Sequence, residues 1–464
     1  MTLSQQIVPD TDPGELVAGV RAIHASGRTR SLEWRLKQLD GLSRLVKERE
    51  SDFAEALAAD LGRSPSETWL GDLAGTAGEI DYARKHLKGW MKRRKESLPM
   101  AQRPGSAWVQ YEPVGTVLII GPWNYPVFLT LSPLVAAVAA GNCAIVKPSE
   151  LAPATAGALA RLIPEYLDPD AVKVVQGDGR TTQNLIDQGF DHILFTGGTE
   201  VGRKIMAGAA KTLTPVTLEL GGKSPVIVAA DADLAVAARR IAWVKLMNSG
   251  QTCIAPDYVL VDETVKDEFV DLLRAELTTM QGDEAAAGQR IVNEGHFDRL
   301  AASITSTRGV IVHGGQSERA ALTMQATVIV DPDPDEPVMA DEIFGPILPV
   351  LPFATANEAI RFVSARPKPL ALYVFSKSSR TSDAYVSAIQ SGGAVVNHVA
   401  MHCLVPALPF GGIGDSGIGS YHGRWGFETL SHRRAVLKKG TWPDPSLMYP
   451  PYSDRALKLM RKVL

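Results

Sequence analysis

The run Gly115-Thr116-Val117-Leu118-Ile119-Ile120-Gly121-Pro122-Trp123-Asn124-Tyr125-Pro126 opens a change of rhythm that decides the fold. The apolar stretch 117–120 is bounded by turn residues and reads as a strand buried on both faces, while the longer apolar run 129–140, stopping at Gly141-Asn142, reads as a helix. The alternation then repeats. Strands are expected at 144–147, 172–176, 192–196 and 216–220, with helices at 155–167, 181–188 and 201–213 between them. Five apolar strands joined by helices predict a doubly wound parallel sheet, whose ligands lie beyond the carboxyl ends of its strands.

On the amino-terminal side, residues 14–100 read as helices. Leu32, Leu36, Leu39, Leu42 and Val46 recur at helical spacing; Ser51 is the expected cap of a helix over 52–61 and Gly62 its stop. The basic run 92–95 reads as a solvated face, and 102–114, alternating around Trp108 and Tyr111, as a strand outside the main domain. Beyond Gly221-Gly222, read as a hinge, a second α/β pattern begins. Its strands are expected at 226–228, 258–261, 310–313, 370–375 and 394–397, and its helices at 234–246, 265–280, 297–306, 357–365 and 382–391. A glycine-rich segment, 410–426, follows.

The bulk numbers agree with such a plan. A chain of 464 residues exceeds the roughly 250–300 at which one core stops growing. A net charge of −3 gives no reason to expect nucleic acid. The three cysteines, Cys143, Cys253 and Cys403, are far apart and suit a reducing compartment. With no signal-peptide pattern at the N-terminus and no apolar run of about 20 residues, the expected location is the cytoplasm.

Several residues carry chemistry types. Cys253, in Asn248-Ser249-Gly250-Gln251-Thr252-Cys253, is either a small buried hydrophobe or a nucleophile. Glu219, flanked by Leu218 and Leu220 at a strand end, should be desolvated and its pKa raised, as suits a general base near neutrality. Asn124 at another strand end is a turn residue or an oxyanion donor. Thr196-Gly197-Gly198-Thr199-Glu200-Val201-Gly202 joins a strand to a helix and reads as a phosphate site or a turn needing space. Lys147 and Glu150 read as ribose ligands or a surface ion pair. Gly222-Lys223-Ser224 lacks the earlier glycine of a P-loop, having Thr217 there. Gly412–Gly417 matches GxGxxG without a preceding strand and reads as a turn at a pocket mouth. His398, His402 and Cys403 read as pocket wall rather than metal ligands. The basic amphipathic stretch 456–464 reads as a tail docking on its own domain or on a partner subunit.

GPWNYP, KPSE, FTGGTEVG, LELGGKSP, GQTCIAPD and EIFGP, in that order over 115–346, resemble the aldehyde dehydrogenase superfamily. SGRTRSLEWR at 26–35 and LPFGGIGDSGIGSYHG at 408–423 resemble its class 3 branch of typically dimeric fatty- and aromatic-aldehyde enzymes. The resemblance implies a dinucleotide-binding domain at 1–101 and 115–221 and a catalytic domain at 222–426. It further implies oligomerisation strands at 102–114 and 427–440 and a tail at 441–464. It implies Cys253 as nucleophile, Glu219 as base, and Asn124 with the Cys253 N–H as oxyanion hole. Lys147 and Glu150 would hold the adenosine ribose, Gly197, Gly198, Thr199 and Gly202 the pyrophosphate, and Glu342 with Phe344 the nicotinamide ribose. Gly198 stands where many members have a serine, so NADP is kept beside NAD as cofactor. Tyr125, Met247 and His402 are expected at the substrate, with no metal. The implied function is NAD(P)-dependent oxidation of aliphatic or aromatic aldehydes to acids through a thioester. The alternative is a cofactor-independent thioester hydrolase or acyltransferase using Cys253.

Overall fold

The computed structural model describes residues 12–281 and 289–463; the reading of the extreme N-terminus and Leu464 of the tail lie outside the described residues. Every residue of Thr116–Ile120, Cys143–Lys147 and His192–Thr196 is buried, as a parallel sheet covered on both faces requires. The parallel strands stand in the order Val216–Glu219, His192–Thr196, Thr116–Ile120, Cys143–Lys147, Val172–Val174. From Thr116–Ile120 the chain builds outward on one side, then returns to the other through His192–Thr196. The strand order therefore reverses between these two, and their carboxyl ends run into Gly121 and Gly197, where such sheets leave a crevice.

The helix Phe128–Ala140 has no polar side, and all 13 of its residues are buried. It can be so because the sheet covers one face and the helices Leu32–Glu48 and Ala74–Trp90 cover the other. Gly62 ends its helix in the left-handed conformation, φ 71°. Ser51 does not cap that helix. Only Arg49 separates Glu50–Leu61 from Leu32–Glu48, leaving no extended position from which Ser51 could reach a free N–H.

The second sheet has seven strands in the order Val310–His313, Thr327–Val330, Ile347–Phe353, Tyr258–Asp262, Pro225–Val228, Ala371–Phe375, Gly393–Val396, parallel except for the first. Thr327–Val330 and Ile347–Phe353 are absent from the sequence reading. Pro349 and Pro352 argue against a central strand, yet each removes one donor only, and buried Ile347, Leu348, Val350 and Leu351 hold the strand in place.

Within the glycine-rich segment the chain turns, as expected, with Gly417 N–H donating to Gly414 O at 3.3 Å, and then joins a sheet. Gly417–Ile418 adds to the first sheet as an antiparallel edge, Gly417 opposite Glu219, and Leu220 N–H donates to Ser416 O at 3.1 Å. The end of the chain thus clamps the strand carrying Glu219. A third, antiparallel sheet joins Arg94–Glu96, Gly105–Pro113 and Ser431–Lys439, and most of Ser431–Lys439 is exposed. The tail forms a helix, Asp454–Val463, which leaves Leu457 and Leu459 exposed.

Candidate active site

The bend that presents Cys253 is built from unusual backbone. After the helix Leu234–Leu246, Asn248 and Ser249 are both left-handed, φ 50° and 51°, a conformation non-glycine residues adopt only when their surroundings enforce it. The enforcement is visible. Asn248 Nδ2 donates to Asn124 O and Gln251 O, each at 3.0 Å. Ser249 Oγ donates to Gln289 O at 2.6 Å, and Gln251 Nε2 to Arg290 O at 2.9 Å. Buried Lys245 ties the helix to the outgoing loop, Nζ to Pro256 O at 2.9 Å.

This bend meets the first sheet at one end of a cavity of about 730 Å³, lined by Asn124, Lys147, Glu150, Gly197, Gly198, Glu219, Cys253, Glu342 and Phe344 among others. The volume lies in the range of small-molecule sites. Nine residues singled out from the sequence therefore share one wall system. Glu219 is 2% exposed, and neither carboxylate oxygen has a hydrogen-bond partner among the described residues. Burial alone pushes its pKa well above the ordinary value. Burial also pushes the Cys253 thiol up, with the Glu342 and Glu219 carboxylates adding to the effect. Both groups are therefore harder to ionise in this pocket than in water. Asn124 Nδ2 donates to Gln251 O at 3.1 Å, and an amide nitrogen carries a second N–H that this bond leaves free.

Behind Asn124 lies a device absent from the sequence reading. Buried Arg63 pairs with Asp72 and donates to Asn124 O. Asp72 Oδ1 accepts from the Val127 and Phe128 N–H groups, each at 2.9 Å. The pair holds the turn from which Asn124 projects.

At the other end, Lys147 Nζ donates to Glu150 at 2.5 Å. Gly198 borders open space, whereas a Cβ on Gly197 would strike the Phe195 ring and one on Gly202 the Leu220 side chain. Backbone is thus bare along the cavity, as an approaching phosphate requires. Glu342 lies against Gly221, where a Cβ would run into its carboxylate. Burial raises Glu342 to about 8. This cavity runs past a ribose-ready ion pair at the end of the strand Cys143–Lys147 and the orphaned Glu219 oxygens on Val216–Glu219, with two strands between them in the sheet order, and so fits an extended dinucleotide.

Five expected residues lie elsewhere. Gly202 serves helix-to-sheet packing, and Thr199 turns its hydroxyl toward Asp415 O at 3.4 Å. Tyr125 and Met247 line a second cavity of about 200 Å³ with Trp243; Tyr125 Oη bonds Thr252 Oγ1 at 2.8 Å. His402 packs against Gly393 and tilts over Phe410, with centroids 5.6 Å apart. Conversely, Lys204, His296 and Arg299 line the large cavity without belonging to any stretch that the sequence marks as a site, and Trp123, inside the marked GPWNYP stretch, lines it too. Among the described residues no group of three His, Cys, Asp or Glu is placed to hold a metal.

Residues 15–436 match the aldehyde dehydrogenase family. The chain is 46% identical to aldehyde dehydrogenase family 3 member A2 of Rattus norvegicus, over 94% of this chain and 91% of the relative. It is 43% identical to the dimeric NADP-preferring aldehyde dehydrogenase of the same organism, over 94% and 97%. The substrate-bound Staphylococcus aureus AldH structure superposes with a TM-score of 0.93 at 40% identity, covering 97% of this chain and 98% of that one. The fold and this cavity define an oxidoreductase architecture, and the chain belongs to the aldehyde dehydrogenase family. Its activity is the NAD(P)-dependent oxidation of aldehydes.

Proposed function

We propose that Cys253, Glu219 and Asn124 carry this oxidation, on the observation that all three line one cavity, with Asn124 bonded to Gln251 O in the loop that leads to Cys253 and the Glu219 carboxylate close enough to bear on the Cys253 thiol. Cys253 gives up its thiol proton to solvent as Sγ adds to the aldehyde carbon, forming a thiohemiacetal whose oxygen carries the negative charge. The free N–H of Asn124 and the Cys253 backbone N–H meet the developing oxyanion. When bound, the nicotinamide of NAD(P) accepts the hydride that this carbon loses. Cys253 then holds a thioester. Glu219, once ionised, takes a proton from water as its oxygen attacks the thioester carbon, which releases the acid and returns the thiol. Lys147 and Glu150 would hold the adenosine ribose, the bare backbone at Gly197 and Gly198 the pyrophosphate, and Glu342 with Phe344 the nicotinamide ribose.

The aldehyde reaches Cys253 through the smaller cavity beside Tyr125, Trp243 and Met247, joined to the nucleophile by the Tyr125–Thr252 bond. Leu70, Trp243, Leu246, Met247 and Met280 make most of its wall apolar, with Arg63, Glu67, Asn248 and Gln289 as its polar members, and this balance favours aliphatic or aromatic aldehydes over polyhydroxylated ones. The chain works as a homodimer in the cytoplasm; among the described residues no helix is long and apolar enough to cross a membrane. A panel of aldehydes assayed with each nicotinamide cofactor tests this reading. Oxidation of apolar aldehydes ahead of sugar aldehydes is expected. Preference for sugar aldehydes would contradict it.

A further inference from the structure

The adenosine end of the large cavity carries a cation that nothing so far has used. The helix Thr199–Ala210 turns Val201, Lys204 and Ile205 into the cavity, positions that share one helical face. The neighbouring Arg203 is committed, bridging Glu200 and Asp415. Lys147 is committed likewise, to Glu150. Lys204 is exposed and makes no ion pair or hydrogen bond within the described residues. Glu150 lines the same cavity, and its side chain is 45% exposed, so its charge is softened by Lys147 and by solvent.

We infer that Lys204 is the residue that lets this site take a 2′-phosphorylated adenosine, and so decides how well NADP competes with NAD. This rests on the reading of the cavity as the cofactor site. A carboxylate alone beside the ribose repels a 2′-phosphate. A mobile ammonium on the facing helix supplies the opposite charge as a point contact, without the fork geometry that an arginine would impose. An unphosphorylated ribose offers Lys204 no anion and gains nothing from it.

Calorimetric titration of the full chain with adenosine 2′,5′-bisphosphate and with adenosine 5′-monophosphate isolates this contact from turnover. Lys204→Gln should weaken the bisphosphate about five- to tenfold, the scale of a partly exposed charge-assisted contact, and leave the monophosphate unchanged. Lys204→Arg should restore most of the loss, and raised salt should shrink the difference between parent and Lys204→Gln. Equal weakening of both nucleotides, or no change in either, would overturn the inference while leaving the cofactor site standing. Failure of the parent chain to bind either nucleotide would remove the cofactor site itself, and the inference with it.

Discussion

Glu219 and Cys253 share a pocket that withholds water from both, so each is more reluctant to ionise than its free side chain. Chemistry there depends on groups that meet charge as it forms, and Asn124 is placed for that. Asn124→Ala should lower kcat by about 10²–10³ with little change in substrate affinity, the usual cost of one oxyanion donor; steady-state kinetics reads it, and a loss confined to KM would contradict the role. Glu342 allows a cleaner electrostatic test. Its pKa is raised from 4.5 to about 8, with burial as the largest cause, so the folded state favours its proton. The associated stability is complete below the ordinary carboxylate range and is lost as pH rises through about 8. Glu342→Gln should therefore melt closer to, or above, the parent as pH climbs from about 5 to about 9, a relative gain on the order of 4 kcal/mol. Parallel melting curves would refute it. At this scale Glu219 and Cys253 were legible because a carboxylate among leucines and a thiol after a helix-breaking run are chemically conspicuous. Arg299 and His296 were not, because they come from the helix Glu294–Ser306, whose sequence carries no local sign of a ligand.

Among the elements, the turn after Thr116–Ile120 depends on the Arg63–Asp72 pair. Both side chains are at most 1% exposed, and Asp72 also satisfies two backbone donors of the turn. Asp72→Ala would leave Arg63 charged and unpaired in the interior, so a loss of about 3–5 kcal/mol is expected, measured by denaturant unfolding. Activity should fall in the remaining folded enzyme, because Asn124 loses its support. A loss under about 1 kcal/mol would show that the pair is not holding the turn. Nothing in the local sequence links Arg63 to Asn124; their meeting is a consequence of tertiary packing. The first sheet was legible because uninterrupted apolar runs admit few other readings. Ile347–Phe353 was hidden by its prolines. Gly417–Ile418 was hidden because two glycine-flanked residues carry no periodic signal, although they brace the strand of Glu219.

For the molecule as a whole, the three-stranded sheet rests on the edge of the first core through Tyr111, whose ring lies 5.6 Å from that of Phe427, and Ser431–Lys439 pairs along its full length with Gly105–Pro113. An exposed strand of this length invites pairing or coverage by another chain, which favours the homodimer proposed above. Prolines at Ala435 and Leu437 should break this ladder and shift sedimentation from dimer to monomer; an unchanged dimer would place the interface elsewhere. The catalytic assignment has a more direct test. The Glu219→Gln variant, mixed with an aldehyde and NAD and then digested, should show by mass spectrometry an acyl adduct on the Cys253 peptide, absent when Cys253→Ala is added. Full steady-state turnover in Glu219→Gln, with no acyl group ever found on Cys253, would contradict the account.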